Sequence, residues 1–225
     1  MARSRRMREE PCVFCGTAKA GTKDHVPPKA IFPEKLPGNI KMVTAPACNT
    51  CHNISMKDDM TIRNLLISST EAEGHPAVIH GLADKSERSL LRSQTDYHNL
   101  LQLIKLIDIE TPAGIYLGTR WAFDLDNPTM NRFVERLSHA LLWYEFRQIY
   151  FEGVFDWRMN CELPNEVYAG IKRSGKLRKV HDVFAYGIVP LKNASTAWVI
   201  ANFYACTEFV IRVTKTEQER SVDSP

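Results

Sequence analysis

Four cysteines in two closely spaced pairs are the residues of this chain whose types and spacing are most specific for chemistry. The pairs are CVFC and CNTC, and their members are Cys12, Cys15, Cys48 and Cys51. A two-residue spacer lets both thiolates of a pair turn toward one ion at about 2.3 Å, and two such pairs complete a tetrahedral site. A site closed by four sulfur ligands is structural rather than catalytic. We therefore predict a structural zinc ion near the N-terminus.

Three residues beside the cysteines are left free for other chemistry. Asp24 and His25 are adjacent in TKDHVPPK, and His52 directly follows the last cysteine. Taken together, the segments CVFCG, TKDHVPPK and PACNTCHNISMKDD resemble the HNH endonuclease superfamily, the ββα-metal nucleases, in its zinc-bearing treble-clef form. The resemblance covers roughly residues 10 to 65, less than a third of the chain.

The resemblance implies a metal-dependent endonuclease that hydrolyses phosphodiester bonds of DNA, with RNA the less favoured substrate. Asp24 and His52 would hold a catalytic magnesium or manganese ion, a hard cation that prefers oxygen ligands and tolerates an imidazole. His25 would be the general base that takes a proton from water. A histidine suits this role because its ordinary pKa of about 6.5 leaves it mostly neutral near pH 7.

An asparagine often orients the general base in this family. The resemblance makes Asn39, in GNIKMV, the candidate here, although it lies farther before Cys48 than the usual family spacing. Asn49 and Asn53 are rivals for the same role. A backbone carbonyl that orients His25 is the remaining alternative.

Composition and charge are typical of a soluble folded protein and are compatible with a nucleic-acid partner. The 225 residues are 44% hydrophobic and 24% charged, as is ordinary for a folded domain. No run of eighteen apolar residues predicts a membrane span, and MARSRRMREEP lacks the apolar core of a secretory signal. We therefore expect a cytoplasmic protein whose paired cysteines are metal ligands. Residues 1–70 carry 11 basic against 6 acidic residues, which is a net charge of +5 that attracts phosphate backbones.

Hydrophobic periodicity predicts an α+β fold in which a small zinc-nucleated head precedes a mixed helical and antiparallel-sheet domain, and the resemblance implies that the head has the ββα-metal, treble-clef form. We expect a flexible basic tail at 1–10, the HNH-like head at 11–70 and an α+β domain of unknown role at 71–225. Secondary structure is predicted as a strand at 22–26, a helix from 53 to about 69, broken helices over 71–110, a buried helix or strand at 96–107, a strand at 115–126, a helix at 129–147 and β-structure in the C-terminal third. Asp58 and Asp59 are expected in the first turn of the 53–69 helix, where its dipole favours acidic residues; the resemblance implies the alternative that they contribute to the catalytic metal site.

A second class of function shares many of these features. A zinc-dependent nucleic-acid-binding or adaptor module without catalysis would also need the cysteine pairs and the basic charge. Such a module has no use for Asp24 beside His25, and the set of Asp24, His25 and His52 therefore favours the enzyme. The oligomeric state and the target sequence are left open by the sequence.

Overall fold

The N-terminal part of the chain is a small antiparallel hairpin followed by a long helix. The computed structural model describes residues 10–34, 41–147, 153–174, 177–190 and 196–215. Strand β1 (Thr22–His25) pairs with β2 (Thr44–Ala47), and helix α1 (Asn49–Ile67) follows at once. The helix begins four residues earlier than predicted because Cys48 caps it: the thiol accepts a hydrogen bond from the amide of Cys51.

Short helices and a separate hairpin occupy the middle of the chain. They are α2 (Thr70–Glu73), a π-helical turn (Val78–Leu82), α3 (Ala83–Arg92), α4 (Gln94–Leu101), β3 (Ile104–Glu110) and β4 (Tyr116–Phe123). The predicted interruption of the helices is present, and Gly81 in the π-helical turn has a φ of 152°. The prediction of one buried element over 96–107 is wrong, because the chain leaves α4 and enters β3 within that range and β3 is largely exposed.

Helix α5 (Pro128–Phe146) lies at the centre of the molecule, within one residue of its predicted bounds at both ends. It begins where the side chain of Asn127 accepts a hydrogen bond from the amide of Met130, with Pro128 in the first turn. Its apolar stripe is buried, and it contacts α1, β2 and the C-terminal sheet. The helix therefore links the N-terminal hairpin to the rest of the fold.

The C-terminal part forms a five-stranded antiparallel sheet. Its elements are β5 (Val154–Met159), α6 (Asn165–Ser174), β6 (Arg178–Val180), β7 (Phe184–Pro190), β8 (Thr196–Phe203) and β9 (Thr207–Thr214). The strand order is β5-β9-β8-β7-β6. The last three strands were predicted, whereas β5, α6 and β6 were not: β5 has six residues, of which two are charged, and β6 has three.

One hydrophobic core runs from the N-terminal hairpin to the C-terminal sheet. Val26 and Ile31 belong to the same buried cluster as Phe133 of α5 and Phe203 of β8. The hydroxyl of Tyr204 also donates a hydrogen bond of 2.7 Å to the carbonyl of Ile31. The fold is therefore mixed α+β, with helices and antiparallel sheets, as predicted. The division at residue 70 stays a prediction, and of the predicted tail only residue 10 is described. Across the described ranges, no helix is both long and apolar enough to span a membrane.

Candidate functional site

The four cysteines converge as predicted and form a group that could hold a structural metal ion such as zinc. Their sulfur atoms all lie within 4.8 Å of one another, and Sγ of Cys15 is 3.9 Å from Sγ of Cys48. A tetrahedron with zinc–sulfur bonds of about 2.3 Å has edges of about 3.8 Å, so the spacing fits the ion. Among the described residues this is the one group of three or more histidine, cysteine or acidic side chains with such spacing.

Local backbone structure brings each cysteine pair into place. In the first pair, the amide of Gly16 donates to the carbonyl of Cys12, and Gly16 has a φ of 70°, in the left-handed region that glycine tolerates. The second pair spans the start of α1, with Cys48 as the cap and Cys51 in the first turn. The site therefore fastens the turn before β1, which carries Cys12 and Cys15, to the N-terminus of α1.

The thiols differ in how readily they lose their protons. Burial raises the pKa of Cys12 and of Cys51. Burial acts in the same direction on Cys15, but hydrogen bonds from the amides of Ala18 and Thr17 and from the Thr17 hydroxyl outweigh it and lower the pKa of Cys15 to about 6. A metal ion must displace the protons of all its thiol ligands, so its binding here is coupled to proton release.

A second polar cluster is centred on the Asp24 carboxylate, whose side chain is only 5% exposed. Its Oδ1 lies 3.2 Å from Nδ1 of His52, and its Oδ2 accepts a hydrogen bond of 3.0 Å from the hydroxyl of Ser55. His52 and Ser55 lie three residues apart on α1 and so share one face of the helix. The fold thus brings together the two residues predicted to hold a catalytic cation.

Two arginines of α5 bind aspartates of the N-terminal part of the chain, one of them Asp24 itself, and the sequence reasoning missed both. Nη1 of Arg136 lies 3.6 Å from Oδ2 of Asp24, and its Nη2 pairs with Oδ1 of Asp59. Arg132 binds both carboxylate oxygens of Asp58, at 2.7 and 2.8 Å. Residues four apart on a helix share a face. The sequence feature that could have predicted these contacts is the four-residue spacing of Arg132 and Arg136 in NRFVERLSH, together with the adjacent Asp58 and Asp59.

The expectation that Asp58 and Asp59 lie in the first turn of a helix is wrong. Helix α1 begins at Asn49 and has no acidic residue in its first turn, so both aspartates lie in its third turn. Their stabilising partners are the α5 arginines rather than the helix dipole. Burial raises the pKa of Asp59 to about 6, against the opposing charge of Arg136.

His25, the predicted general base, is half-buried at the end of β1. Its pKa is lowered, first by burial and then by the charge of Lys29, while Asp24 acts in the opposite direction. The ring is therefore neutral at pH 7 and can accept a proton. Within the part of the chain that the structure describes, neither Asn49 nor Asn53 hydrogen-bonds the ring, and both are exposed. Asn39, the first candidate for orienting His25, lies outside the described residues.

No protein-family model, curated protein or solved structure matches this chain at a significant level. The functional argument therefore depends on two clusters: four thiols that fasten the turn before β1 to the start of α1, and a carboxylate surrounded by a histidine, a hydroxyl and a guanidinium.

Proposed function

We propose that this chain is an HNH-type, metal-dependent endonuclease that hydrolyses phosphodiester bonds of DNA on a zinc-bearing treble-clef head. The observation that carries the proposal is the contact of 3.2 Å between Asp24 and His52. These residues come from β1 and from α1, and the cysteine group joins the turn before β1 to the start of α1. A hairpin followed by a helix, with an acidic residue and histidines where they meet, is the arrangement that the resemblance to HNH enzymes requires.

The spacing of Asp24 and His52 suits a small divalent cation. Two neighbouring ligands of an octahedral magnesium site with bonds of about 2.1 Å lie about 3.0 Å apart, and the observed separation is 3.2 Å. Ser55 and Arg136 contact Oδ2, which leaves Oδ1 of Asp24 and Nδ1 of His52 as the ligand pair. A magnesium or manganese ion held there would neutralise charge on the phosphoryl and leaving oxygens.

The protein's own groups would position and deprotonate the attacking water. His25 is neutral at pH 7 because burial and Lys29 lower its pKa, so a ring nitrogen can take the proton as water attacks phosphorus. Ser55 and Arg136 orient the Asp24 carboxylate through Oδ2. The net charge of +5 over residues 1–70 favours an approaching phosphate backbone.

Cleavage of supercoiled plasmid by zinc-loaded protein, with and without added magnesium or manganese, tests the proposal. The His25→Ala variant should lose nicking while keeping its zinc content and its DNA affinity. The matched control is His98→Ala, since His98 is an exposed histidine of α4 outside the cluster. Cleavage by His25→Ala at the parent rate would refute the assigned base. Removal of zinc by a chelator should abolish nicking and unfold the head together.

A non-catalytic zinc-dependent nucleic-acid-binding or adaptor module is the second candidate, and one observation favours it. The Asp24 carboxylate is almost fully buried and already has His52, Ser55 and Arg136 as partners. The charge of a carboxylate with these buried partners is compensated without a bound cation. Under this candidate the folded, zinc-replete protein binds DNA with an affinity that falls steeply with salt, and it never nicks the plasmid.

A further inference from the structure

A small cleft lies beside the Asp24 cluster, between the first cysteine pair, α1 and α5. Its volume is about 190 Å³, and its lining includes Phe14 of the CVFC turn, Ile54 and Ser55 of α1, and Arg136 of α5. Ser55 connects the cleft to the site, because its hydroxyl donates a hydrogen bond to Oδ2 of Asp24. A molecule bound in the cleft would therefore lie one side chain away from the Asp24 carboxylate.

One buried donor of the cleft lacks a hydrogen-bond acceptor. Nη2 of Arg136 pairs with Asp59, whereas Nη1 has no acceptor among the described residues. Oδ2 of Asp24 lies 3.6 Å from Nη1, which is beyond hydrogen-bonding distance. A buried N–H group without an acceptor costs free energy, and such groups are rare in native proteins. Because Arg136 lines the cleft, a bound molecule with a carbonyl oxygen or ring nitrogen would supply the acceptor.

The charges that line the cleft favour an uncharged ligand. Arg132 and Arg136 are balanced there by Asp58 and Glu135, so neither a phosphate nor a metal ion is selected by net charge. Arg132 binds both oxygens of Asp58. The carboxylate of Glu135, by contrast, forms no hydrogen bond or ion pair within the described ranges. The cleft therefore offers a guanidinium donor and a carboxylate acceptor to a neutral molecule.

The size and the apolar lining of the cleft identify the kind of neutral molecule. Its volume of about 190 Å³ is roughly six times the share of one water in the liquid, which is room for one pyrimidine-sized ring but not for a sugar and a phosphate as well. Half-buried Phe14 offers an aromatic surface, and Ile54, which is 47% exposed, offers an aliphatic one. Enzymes that take a base out of the nucleic-acid stack hold it in this way, with apolar side chains at its faces and polar groups at its edge.

We infer that the cleft binds one unpaired nucleobase of a DNA strand, with the edge of the base between Arg136 and Glu135 and its face against Phe14. Cytosine fits this arrangement, because its amine donates to a carboxylate and its ring acceptors bind a guanidinium. The inference deepens the proposed function and rests on it for the source of the base. It makes single-stranded or locally opened DNA the preferred substrate, since a paired base must first leave the stack.

Titration of the full-length, isotope-labelled, zinc-loaded chain with deoxycytidine, followed by amide NMR shifts, tests the inference. This nucleoside has no phosphate, so attraction between charges does not contribute to its binding. The amides of Ile54, Ser55 and Glu135 should shift, with a dissociation constant on the order of 1 mM, as expected for one stacked ring. Methyl deoxyriboside, the sugar without the base, should shift none of them. A single-stranded oligonucleotide of deoxycytidines should shift the same three amides.

Two variants with matched controls locate the binding. Ile54→Trp fills the cleft and Glu135→Met removes the acceptor, and each should weaken nucleoside binding about tenfold or more. Met56→Trp, at a position that is 56% exposed on the same helix, and Glu87→Met, at an exposed position of α3, should bind like the parent. The inference is overturned if the nucleoside or the oligonucleotide leaves the three amides unshifted. It is also overturned if both cleft variants bind like the parent, or if the controls lose binding to the same extent.

Failure of this inference and failure of the proposed nuclease have different signatures. Nucleoside binding needs no catalytic cation and no cleavage. A protein that never nicks the plasmid but binds the oligonucleotide in the cleft refutes the nuclease and leaves the base site standing. A protein that nicks the plasmid and shows none of the three amide shifts refutes the base site alone.

Discussion

Replacing Arg136 should destabilise the protein far more than replacing Arg132, although the two lie one turn apart on α5. The side chain of Arg136 is 9% exposed and lies between Asp24 and Asp59, whereas that of Arg132 is 46% exposed and forms its ion pair with Asp58. Both arginines bind aspartates of the N-terminal part of the chain. The two arginines therefore allow a buried ion pair to be compared with a half-exposed one in the same protein.

The expected magnitude follows from burial. At 3.6 Å and an effective dielectric constant of about 20, the attraction between Arg136 and Asp24 is about 4–5 kcal/mol before desolvation. Removing one partner of a buried pair costs about 3–5 kcal/mol because an uncompensated charge stays behind. Arg136→Met, which keeps the apolar stem, should lower the free energy of unfolding by that amount. Arg132→Met should cost about 1–2 kcal/mol. Water screens the half-exposed ion pair between Arg132 and Asp58, and water can solvate Asp58 once the arginine is gone.

Urea denaturation with zinc held constant measures both values. Arg136→Lys should recover part of the loss, because it returns the positive charge without the second hydrogen-bonding nitrogen. Equal destabilisation by Arg132→Met and Arg136→Met would refute the reasoning from burial. Millimolar magnesium should raise the melting temperature of Arg136→Met more than that of the parent, since Asp24 and Asp59 then lack a compensating charge. An equal rise in both proteins would show that the guanidinium and the cation do not compete.

The remaining predictions concern pH and packing. Burial lowers the pKa of His139 to about 4, so the unfolded chain binds more protons than the folded one between pH 6.5 and 4. The free energy of unfolding that the neutral His139 contributes is fully present above pH 6.5, and about 3 kcal/mol of it should be lost as the pH falls from 6.5 to 4. Asp59, with a pKa of about 6, changes stability with pH in the opposite direction. The test is therefore the difference between the parent and His139→Phe in urea denaturation at several pH values. Identical pH profiles of the two proteins would contradict the prediction. Gly170→Ala should cost about 1–3 kcal/mol, because a Cβ there would lie 2.2 Å from Cγ1 of Val189. Gly74→Ala, with nothing within 4 Å of the added atom, should be neutral or slightly stabilising, and equal thermal melting shifts for the two variants would contradict the packing argument.

Local features of the candidate site could be predicted from sequence because short-range geometry determines them. Two residues between cysteines are enough to direct both thiols at one point, and the two pairs converge as expected. The apolar period of α5 and the proline in its first turn placed that helix within one residue at each end. The alternation of β-branched and aromatic residues in β7, β8 and β9 likewise indicated strands.

Features that depend on contacts between distant segments could not be predicted. Arg136 lies 77 positions from Asp59 in the chain, and an arginine on an amphipathic helix usually belongs to its solvent-exposed face. Only the packing of α5 against α1 turns that arginine inward. Strand β3 is the opposite case, since the apolar residues of 96–107 indicated burial and the fold leaves most of this strand in solvent.

The division between sequence and tertiary structure follows from the range of the forces. The sequence alone determined that four thiols converge, that Asp24 and His25 end a strand, and that His52 follows the last ligand, because a few backbone angles decide each of these. The tertiary structure decided which charges compensate Asp24 and which apolar face stays uncovered. Both outcomes depend on where whole helices and strands pack, and packing is a sum over many weak contacts that no short segment encodes.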